Sequence, residues 1–182
     1  KPTAKKGHYI IEETRSDLSQ TRVQVRELNQ RDAEHLISCF PKVVKSEVNR
    51  EQLEIRNLLL GYLLYTTGLR ANELLSLNWG SFRYNRQGYL YVDVIGKGNK
   101  PRTIPIKEET EQLLFKYRRS LGEPVEIDTE DVSPLFFSLY NKKEPLKNKK
   151  RLTYPSLYKI VKEAVQLAGR QSKVSAHWFR HT

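Results

Sequence analysis

The sequence predicts an α+β fold that is mostly helical, with helices packed around a small antiparallel three-stranded sheet. Two observations predict it. Apolar residues recur at helical spacing before residue 78 and after residue 107, and the stretch between holds short β-rich runs broken by glycine-rich turns. Because helices and strands do not alternate along the chain, a parallel βαβ sheet is not expected. With 182 residues, 38% of them hydrophobic, the chain is long enough for one domain with a core.

The first predicted helix is LNQRDAEHLISCF. Asn29 suits its N-cap and Asp32 follows three residues later, as in a capping box, while Pro41 helps to end the helix. The apolar face of this helix is formed by Ala33, Leu36, Ile37 and Phe40.

A second helix, EQLEIRNLLLGYLLYTTGL, is apolar almost all round, so we expect it to be the central buried element. Gly68 is well placed to terminate it, because glycine readily adopts the left-handed conformation that ends helices. A short third helix is expected from about Arg70 to Leu77. Its inward residues are Leu74, Leu75 and Leu77.

Strands are expected next. YLYVDVI and RTIPI form a hairpin whose tip, GKGNKP, is glycine-rich and basic. A third strand is expected near Ser81–Tyr84, ahead of the turn YNRQGY.

The second half of the chain returns to helical spacing. KEETEQLLFKYRRSL predicts a helix, VSPLFFSL predicts a short strand or an irregular apolar segment, and NKKEPLKNKKR predicts a basic loop. TYPSLYKIVKEAVQLAG predicts the last clear helix, capped by Thr153 and stopped by Gly169.

The charge balance indicates the class of partner. Lys and Arg total 32 against 21 Asp and Glu, a formal net charge of +11, which favours nucleic acid over a basic protein that is merely soluble. No apolar run is long enough to cross a bilayer and no secretory signal is present, so no membrane partner is expected. The one cysteine, Cys39, cannot form an internal disulfide, which favours a reducing, cytoplasmic compartment.

Common enzyme signatures are absent from the sequence, which has no P-loop, no zinc-spaced Cys and His cluster and no GxSxG motif. The acidic stretch EIDTEDVSP is more typical of a solvated turn than of a magnesium site. Three cationic features remain as candidates for function.

The first feature is Arg70 in TTGLRANELLSL, directly after the glycine break. Because its neighbours are apolar, its guanidinium needs a carboxylate or a phosphate. Glu73 lies three residues further on, on the same helical face. A structural Arg–Glu pair and a phosphate site both remain open for this stretch.

The second feature is Lys97, which lies between two glycines at the tip of the hairpin. The glycines allow a tight turn from which the lysine projects, and Lys100 and Arg102 add charge to the same tip. Taken alone, this stretch favours an ordinary solvated hairpin end.

The third feature is SAHWFRHT, where His177 and Arg180 share one face if the segment is helical. An arginine fork beside an imidazole suits a phosphate. The alternative is a capping or surface pair on a last helix.

In this order and spacing, TTGLRANELLSLNW, VIGKGNKPRTIPI and AHWFRHT resemble the catalytic domain of tyrosine recombinases, the phage integrase family of site-specific DNA recombinases. PLFFSLYNKKEPL adds a weaker match. The resemblance implies a catalytic domain over residues 27–182, with residues 1–26 as a linker or N-terminal arm. It also implies the tyrosine-recombinase type of the α+β fold.

The resemblance implies a role for each matching residue. Arg70 matches the first catalytic arginine, which binds the scissile phosphate, and Glu73 matches the acidic residue that supports it. Lys97 matches the hairpin lysine that protonates the departing 5′ oxygen. His177 and Arg180 match the histidine and second arginine of the H-x-x-R box.

The resemblance also implies a chemistry without metal or nucleotide cofactors, in which a tyrosine attacks the phosphate and forms a 3′-phosphotyrosine. His181 matches a supporting histidine of the family. All ten tyrosines of the chain precede the H-x-x-R box, whereas the family's nucleophile follows it, so the role is assigned to no residue here. Since the chain also starts at Lys1 and has no methionine, we expect a fragment that is inactive alone.

The basic loop is a further candidate for contact with the DNA backbone, or else a flexible solvated loop. Its cations are Lys142, Lys143, Lys147, Lys149, Lys150 and Arg151. Lys100 and Arg102 at the hairpin tip are expected to contact DNA as well. The expected partners are double-stranded DNA and, for the full-length protein, further copies of itself on DNA. A nucleoid-associated location in a prokaryote would suit both.

Two other readings compete with a recombinase. A non-catalytic DNA-binding or regulatory module of the same fold predicts salt-dependent binding with no role for Lys97 beyond its charge. A structural or protein-interaction domain predicts no binding to DNA at all, and leaves the cationic set unexplained.

Overall fold

The computed structural model describes residues 30–96, 98–139 and 149–169. In these ranges five α-helices pack around one antiparallel three-stranded sheet, which confirms the predicted fold class. The helices are α1 (Gln30–Cys39), α2 (Arg50–Thr67), α3 (Ala71–Ser76), α4 (Glu108–Ser120) and α5 (Tyr154–Leu167). The strands are β1 (Phe82–Tyr84), β2 (Leu90–Ile95) and β3 (Pro101–Pro105). Short 3₁₀ turns lie at Pro41–Val43 and Trp79–Ser81.

Helix α2 is the central buried element, as its sequence predicts. The helix packs against α1 and α4, and five of its six leucines are fully buried: Leu53, Leu59, Leu60, Leu63 and Leu64. Gly68 ends the helix in the left-handed conformation, with φ of 60°. The residues predicted to face inward on α1 and α3 are all buried: Ala33, Leu36, Ile37, Phe40, Leu74, Leu75 and Leu77.

Helix α5 packs against α1 and α3 through its apolar stripe. Thr153 is its N-cap and accepts a hydrogen bond from the backbone N–H of Ser156 at 3.4 Å, as predicted. Gly169 follows the helix in the left-handed conformation expected of a C-terminal stop.

The sheet has the order β1-β2-β3, with β2 in the centre. On β2, Leu90, Val92 and Val94 face the core, because successive side chains of a strand point to opposite faces. The register of β2 and β3 places Arg102 opposite Val94, and therefore on the core-facing side of the sheet.

The segment VSPLFFSL proves to be irregular. It carries single β-bridges from Pro134 to Asn78 and from Phe137 to Arg151, and it buries Leu135, Phe136 and Phe137. Of the two structures that the sequence left open, the irregular apolar segment is the one observed.

The expected linker over residues 1–26 and the Asn29 cap lie outside the described residues. Within the part that is described, no helix combines the length and the apolar character needed to span a membrane.

Candidate active site

Arg70 is brought to the surface by the turn between α2 and α3. The left-handed conformation at Gly68 redirects the chain, and Leu69, which is 1% exposed, anchors the turn in the core. Arg70 then takes the N-cap position of α3 in an extended conformation, with φ of −68° and ψ of 151°. Its side chain is 37% exposed, so the guanidinium lies at the boundary of protein and solvent.

Glu73 holds Arg70 in place. Its carboxylate accepts the backbone N–H of Arg70 at 2.8 Å and the Nη1 group of the same residue at 2.8 Å. The first bond is the carboxylate half of a capping box, in which the third residue of a helix bonds back to the N-cap. Glu73 itself is only 6% exposed, so this ion pair lies at the edge of the core.

A second arginine shares this carboxylate. Arg102 on β3 donates to Glu73 through Nη1 at 3.0 Å and through Nη2 at 2.7 Å. Parallel bonds of this kind are the strongest geometry of an arginine–carboxylate pair. The sequence placed Arg102 at the hairpin tip as added charge for DNA. In the fold its head group is bound by Glu73, and its side chain is 35% exposed, about as much as that of Arg70.

The two arginines keep Glu73 ionised. Burial of the carboxyl group opposes ionisation, but hydrogen bonds from Arg102 and from the backbone and side chain of Arg70 outweigh it and lower the pKa of Glu73 to about 2. The cluster therefore carries one negative and two positive charges at neutral pH, a net charge that favours an anion.

An open cleft of about 460 Å³ lies beside this cluster. It is lined by residues of α3, the end of β2 and the start of α5, including Arg70, Glu73, Ser76, Gly96 and Tyr154. Among the described residues, Arg70 has one side-chain hydrogen bond, to Glu73. Since a guanidinium has five N–H donors, several remain to bind an anion in the cleft.

Tyr154 is a cleft residue that the sequence analysis did not single out. It is the first residue of α5 and its side chain is 51% exposed. The sequence signal for Tyr154 was its position directly after the Thr153 N-cap. A large aromatic residue in the first turn of a helix is exposed to solvent and available for contacts.

The hairpin of β2 and β3 turns through left-handed residues. Gly96 donates its backbone N–H to the carbonyl of Lys100 at 2.8 Å, and Gly98 and Asn99 have φ of 77° and 57°. Lys100 is exposed, as expected of a residue at the tip. Lys97, the predicted catalytic residue of this hairpin, lies outside the described residues.

The described end of the basic loop is less free than its composition suggests. Lys149 pairs with Glu123 and lies over the ring of Phe137, and its side chain is only 17% exposed. Lys150 is exposed. The other predicted backbone contacts of this loop, Lys142, Lys143 and Lys147, lie outside the described residues.

Arg151 is used inside the fold. It donates to the carbonyls of Leu75 and Leu77 at 2.8 and 2.9 Å and to Oδ1 of Asn78 at 2.5 Å. Partial burial lowers the pKa of its guanidinium. This arginine therefore binds carbonyls at the end of α3, a structural role that the sequence prediction did not include.

The third predicted corner of the site, His177, Arg180 and His181, lies outside the described residues. Within residues 30–96, 98–139 and 149–169, no group of three His, Cys, Asp or Glu side chains could hold a metal ion. The structure thus places Arg70 and Glu73 on the wall of one cleft and bonds Arg102 to the same Glu73 carboxylate.

Comparison with known proteins identifies the relatives of this chain. The model of the phage integrase family matches residues 26–182. Tyrosine recombinase XerA of Pyrococcus furiosus is 32% identical over 157 residues, which is 86% of this chain and 46% of the relative. Tyrosine recombinase XerD of Haemophilus ducreyi is 34% identical over 135 residues, or 72% of this chain and 40% of the relative. The chain therefore spans less than half of the length of these curated relatives.

Solved structures of site-specific recombinases are also similar to this chain. The XerH site-specific recombinase bound to its difH substrate in a pre-cleavage complex superposes with a TM-score of 0.63 at 28% identity, covering 86% of this chain and 41% of that one. The post-cleavage complex of XerH with palindromic difH gives 0.62 at 29% identity, over 85% of this chain and 40% of that one.

Proposed function

The chain belongs to the phage integrase family, and from this premise we propose that it forms the catalytic domain of a recombinase that breaks and rejoins double-stranded DNA at specific sites. The XerH structures that it resembles are complexes with a DNA substrate. The net charge of +11 suits a DNA partner, because phosphate contacts supply much of the affinity of such proteins.

The observation that carries the proposal is the position of Arg70. Its guanidinium lies on the wall of an open cleft and is braced by a carboxylate from within. That bond leaves the remaining donors of the fork to the cleft, where they can take two oxygens of one phosphate. A purely structural ion pair has no need of a cleft beside it.

We assign the other catalytic roles by family position. Lys97 protonates the departing 5′ oxygen, and His177 and Arg180 complete the group of cations around the scissile phosphate, with His181 in support. Attack on a phosphodiester develops negative charge on its oxygens, which preorganised cations stabilise. Residues 27–182 are then the catalytic domain and residues 1–26 its linker or arm.

The attacking tyrosine is none of the ten in this chain, because all of them precede the H-x-x-R box. The account therefore predicts that the 182-residue chain binds DNA without cutting it. It also assigns DNA cleavage, and assembly of several copies on DNA, to the protein produced from the complete gene.

The test is the formation of a covalent adduct between the complete gene product and DNA. A duplex that the protein selects from a random library is nicked next to the cleaved phosphate, so that the released fragment diffuses away and the adduct accumulates. We expect a protease-sensitive adduct on a denaturing gel, mapped by mass spectrometry to a tyrosine beyond the box. Arg70→Gln should slow its formation by about 10²-fold or more, the usual effect of removing one oxyanion donor.

Two controls separate the alternatives. Arg83→Gln removes an arginine that pairs with Asp93 on the exposed side of the sheet, and it should leave the rate unchanged. Lys97→Arg keeps the charge but not the proton donor, so unchanged cleavage would contradict the role of Lys97. A folded protein that binds the duplex and forms no adduct would instead be a non-catalytic DNA-binding module, and one that binds no DNA at low salt would be an interaction domain.

A further inference from the structure

We propose that Arg102 is a positioning residue: through the carboxylate of Glu73 it fixes the guanidinium of Arg70 and ties the base of the β2–β3 hairpin to helix α3. The inference rests on the proposed function, since it concerns how the phosphate-binding arginine is held. It replaces the sequence-based assignment of Arg102 as a direct DNA contact.

The shared carboxylate is the first argument. Glu73 receives two bonds from Arg102 and two from Arg70, one of them from the backbone. Bonds to Arg102 fix the plane of the carboxylate, and that plane sets the direction of the bond to Arg70 Nη1. With Arg102 removed, the carboxylate keeps only its two bonds to Arg70, so its plane and the direction of the bond to Nη1 are less constrained.

The position of Arg102 in its strand is the second argument. Arg102 faces the same side of the sheet as Val94, which is buried. Ile104 and Ile106 follow at two-residue spacing and therefore lie on this same face. A side chain on this face is directed towards the helices, and that of Arg102, which is 35% exposed, reaches α3. An arginine there must find a buried acceptor, and Glu73 of α3 is that acceptor.

Gly96 provides the third argument. A Cβ atom at this position would lie 2.9 Å from Nη1 of Arg102, so that the guanidinium would have to shift, and 3.3 Å from the carbonyl oxygen of Lys100. The absence of a side chain at Gly96 therefore makes room for the guanidinium on its path to Glu73. Because Gly96 directly precedes Lys97 in the sequence, the same contact links the base of the lysine hairpin to the Arg70 side of the cleft.

A positioning residue and a DNA contact make different predictions for the same substitutions. If Arg102 touched a phosphate itself, its removal would lower the salt slope of binding by about 0.9 and would add to the loss from Arg70. If it acts through Arg70, the double variant should be no weaker than the Arg70 variant alone.

The experiment measures binding of the 182-residue chain to a duplex that the wild-type chain selects from a random library, across a salt series. The variants are Arg70→Gln, Arg102→Gln, both together, Arg102→Lys and Gly96→Ala, with Arg83→Gln as the matched control. We expect Arg70→Gln to weaken binding about tenfold, since a charge-assisted bond of roughly 1.5–3 kcal/mol corresponds to about one to two powers of ten in Kd. Arg102→Gln and Gly96→Ala should each weaken binding about threefold or more. The double variant Arg70→Gln/Arg102→Gln should bind as well as Arg70→Gln alone. Arg102→Lys should restore little, because an ammonium group cannot form the paired bonds.

Gly96→Ala is the sharpest variant, because it leaves both arginines and the net charge in place. Because Gly96 also lines the cleft, a loss of binding in this variant supports the positioning role when it is absent from the Arg102→Gln background, where a merely filled cleft would still weaken binding. Unchanged or tighter binding, additive losses in the double variant, or full rescue by Arg102→Lys would each overturn it. So would a fall in urea stability with unchanged DNA binding of the folded chain, which marks a merely structural pair. If Arg70→Gln itself leaves binding unchanged, the proposed function fails first and the inference falls with it.

Discussion

Arg102 and Glu73 are joined by two parallel hydrogen bonds, of 3.0 and 2.7 Å, that connect strand β3 to helix α3. The two residues lie 29 positions apart, Glu73 in the helix before the sheet and Arg102 in the second strand of the hairpin that carries Lys97. This pair is the link between the sheet and the surface where Arg70 meets the cleft, and the predictions below test what it holds together.

Replacing the shared carboxylate should destabilise the fold. Glu73→Gln removes the charge that pairs two arginines and keeps the shape of the side chain, so we expect a loss of about 2 kcal/mol at pH 7, the usual worth of a hydrogen bond to a charged group. Urea unfolding followed by circular dichroism measures it. An equal stability of Glu73→Gln and wild type would show that the cluster contributes nothing to folding.

The contribution of Glu73 to stability should also depend on pH. The pKa of Glu73 is lowered to about 2 in the folded chain, from an ordinary value of 4.5. As pH falls, Glu73 is therefore protonated in the unfolded chain before it is protonated in the folded chain. The stability that the ionised carboxylate contributes is fully present above about pH 5 and is lost as pH falls to about 2. The difference of about 2 kcal/mol between wild type and Glu73→Gln should therefore disappear over this window, measured by urea unfolding at each pH. Asp93 and Asp131, whose pKa values are also lowered, act equally in both proteins and cancel. A difference that stays constant with pH would contradict the assignment.

Arg151 and Lys150 should separate stability from DNA binding. Arg151→Gln breaks three hydrogen bonds at the end of α3, so we expect about 2 kcal/mol of lost stability with an unchanged salt slope. Lys150→Gln should leave stability within about 0.5 kcal/mol and lower the salt slope by about 0.9 if Lys150 contacts a phosphate. Thermal unfolding measures the stability of each variant, and DNA titration across a salt series measures its salt slope. The opposite pattern would restore Arg151 as the DNA contact.

The turn before Arg70 should depend on glycine. Gly68 has φ of 60°, a conformation in which a Cβ atom is strained, so Gly68→Ala should cost about 1 kcal/mol. Gly68→Asn should cost less, because asparagine tolerates this conformation better. Unfolding midpoints of the two variants provide the comparison. A larger loss for Asn than for Ala would mean that side-chain space, rather than backbone conformation, selects glycine here.

Local patterns were sufficient to predict most of the fold. The helical face of α1, the apolar helix α2, the Gly68 stop and the Thr153 cap are all confirmed. Each depends on residues within a few positions of one another, where spacing and backbone preference act directly. Arg70 and Glu73 also belong to this class, since they lie one helical turn apart.

Long-range pairing could not be predicted in the same way. Arg102 and Arg151 were predicted from their charge to contact DNA. Their hydrogen-bond acceptors within the fold lie 29 and more than 70 residues earlier in the chain, too far for a local pattern to indicate them. Only the packing of β3 and of the loop before α5 against α3 brings these groups together. The sequence did contain a signal for the pairing of Arg102. Its two-residue spacing from Ile104 and Ile106 places it on the same inward face, where a charged side chain requires a partner.

The central claim, that Arg70 binds the scissile phosphate, is tested most directly by removing the charge of that phosphate. The complete gene product and its Arg70→Gln variant are each titrated with the selected duplex and with the same duplex carrying one neutral methylphosphonate at the cleaved position. The account predicts that Arg70→Gln weakens binding about tenfold on the natural phosphate and scarcely at all on the methylphosphonate, because the two changes remove one and the same interaction. Equal losses on both duplexes would contradict it and would place Arg70 elsewhere than at the reacting phosphate.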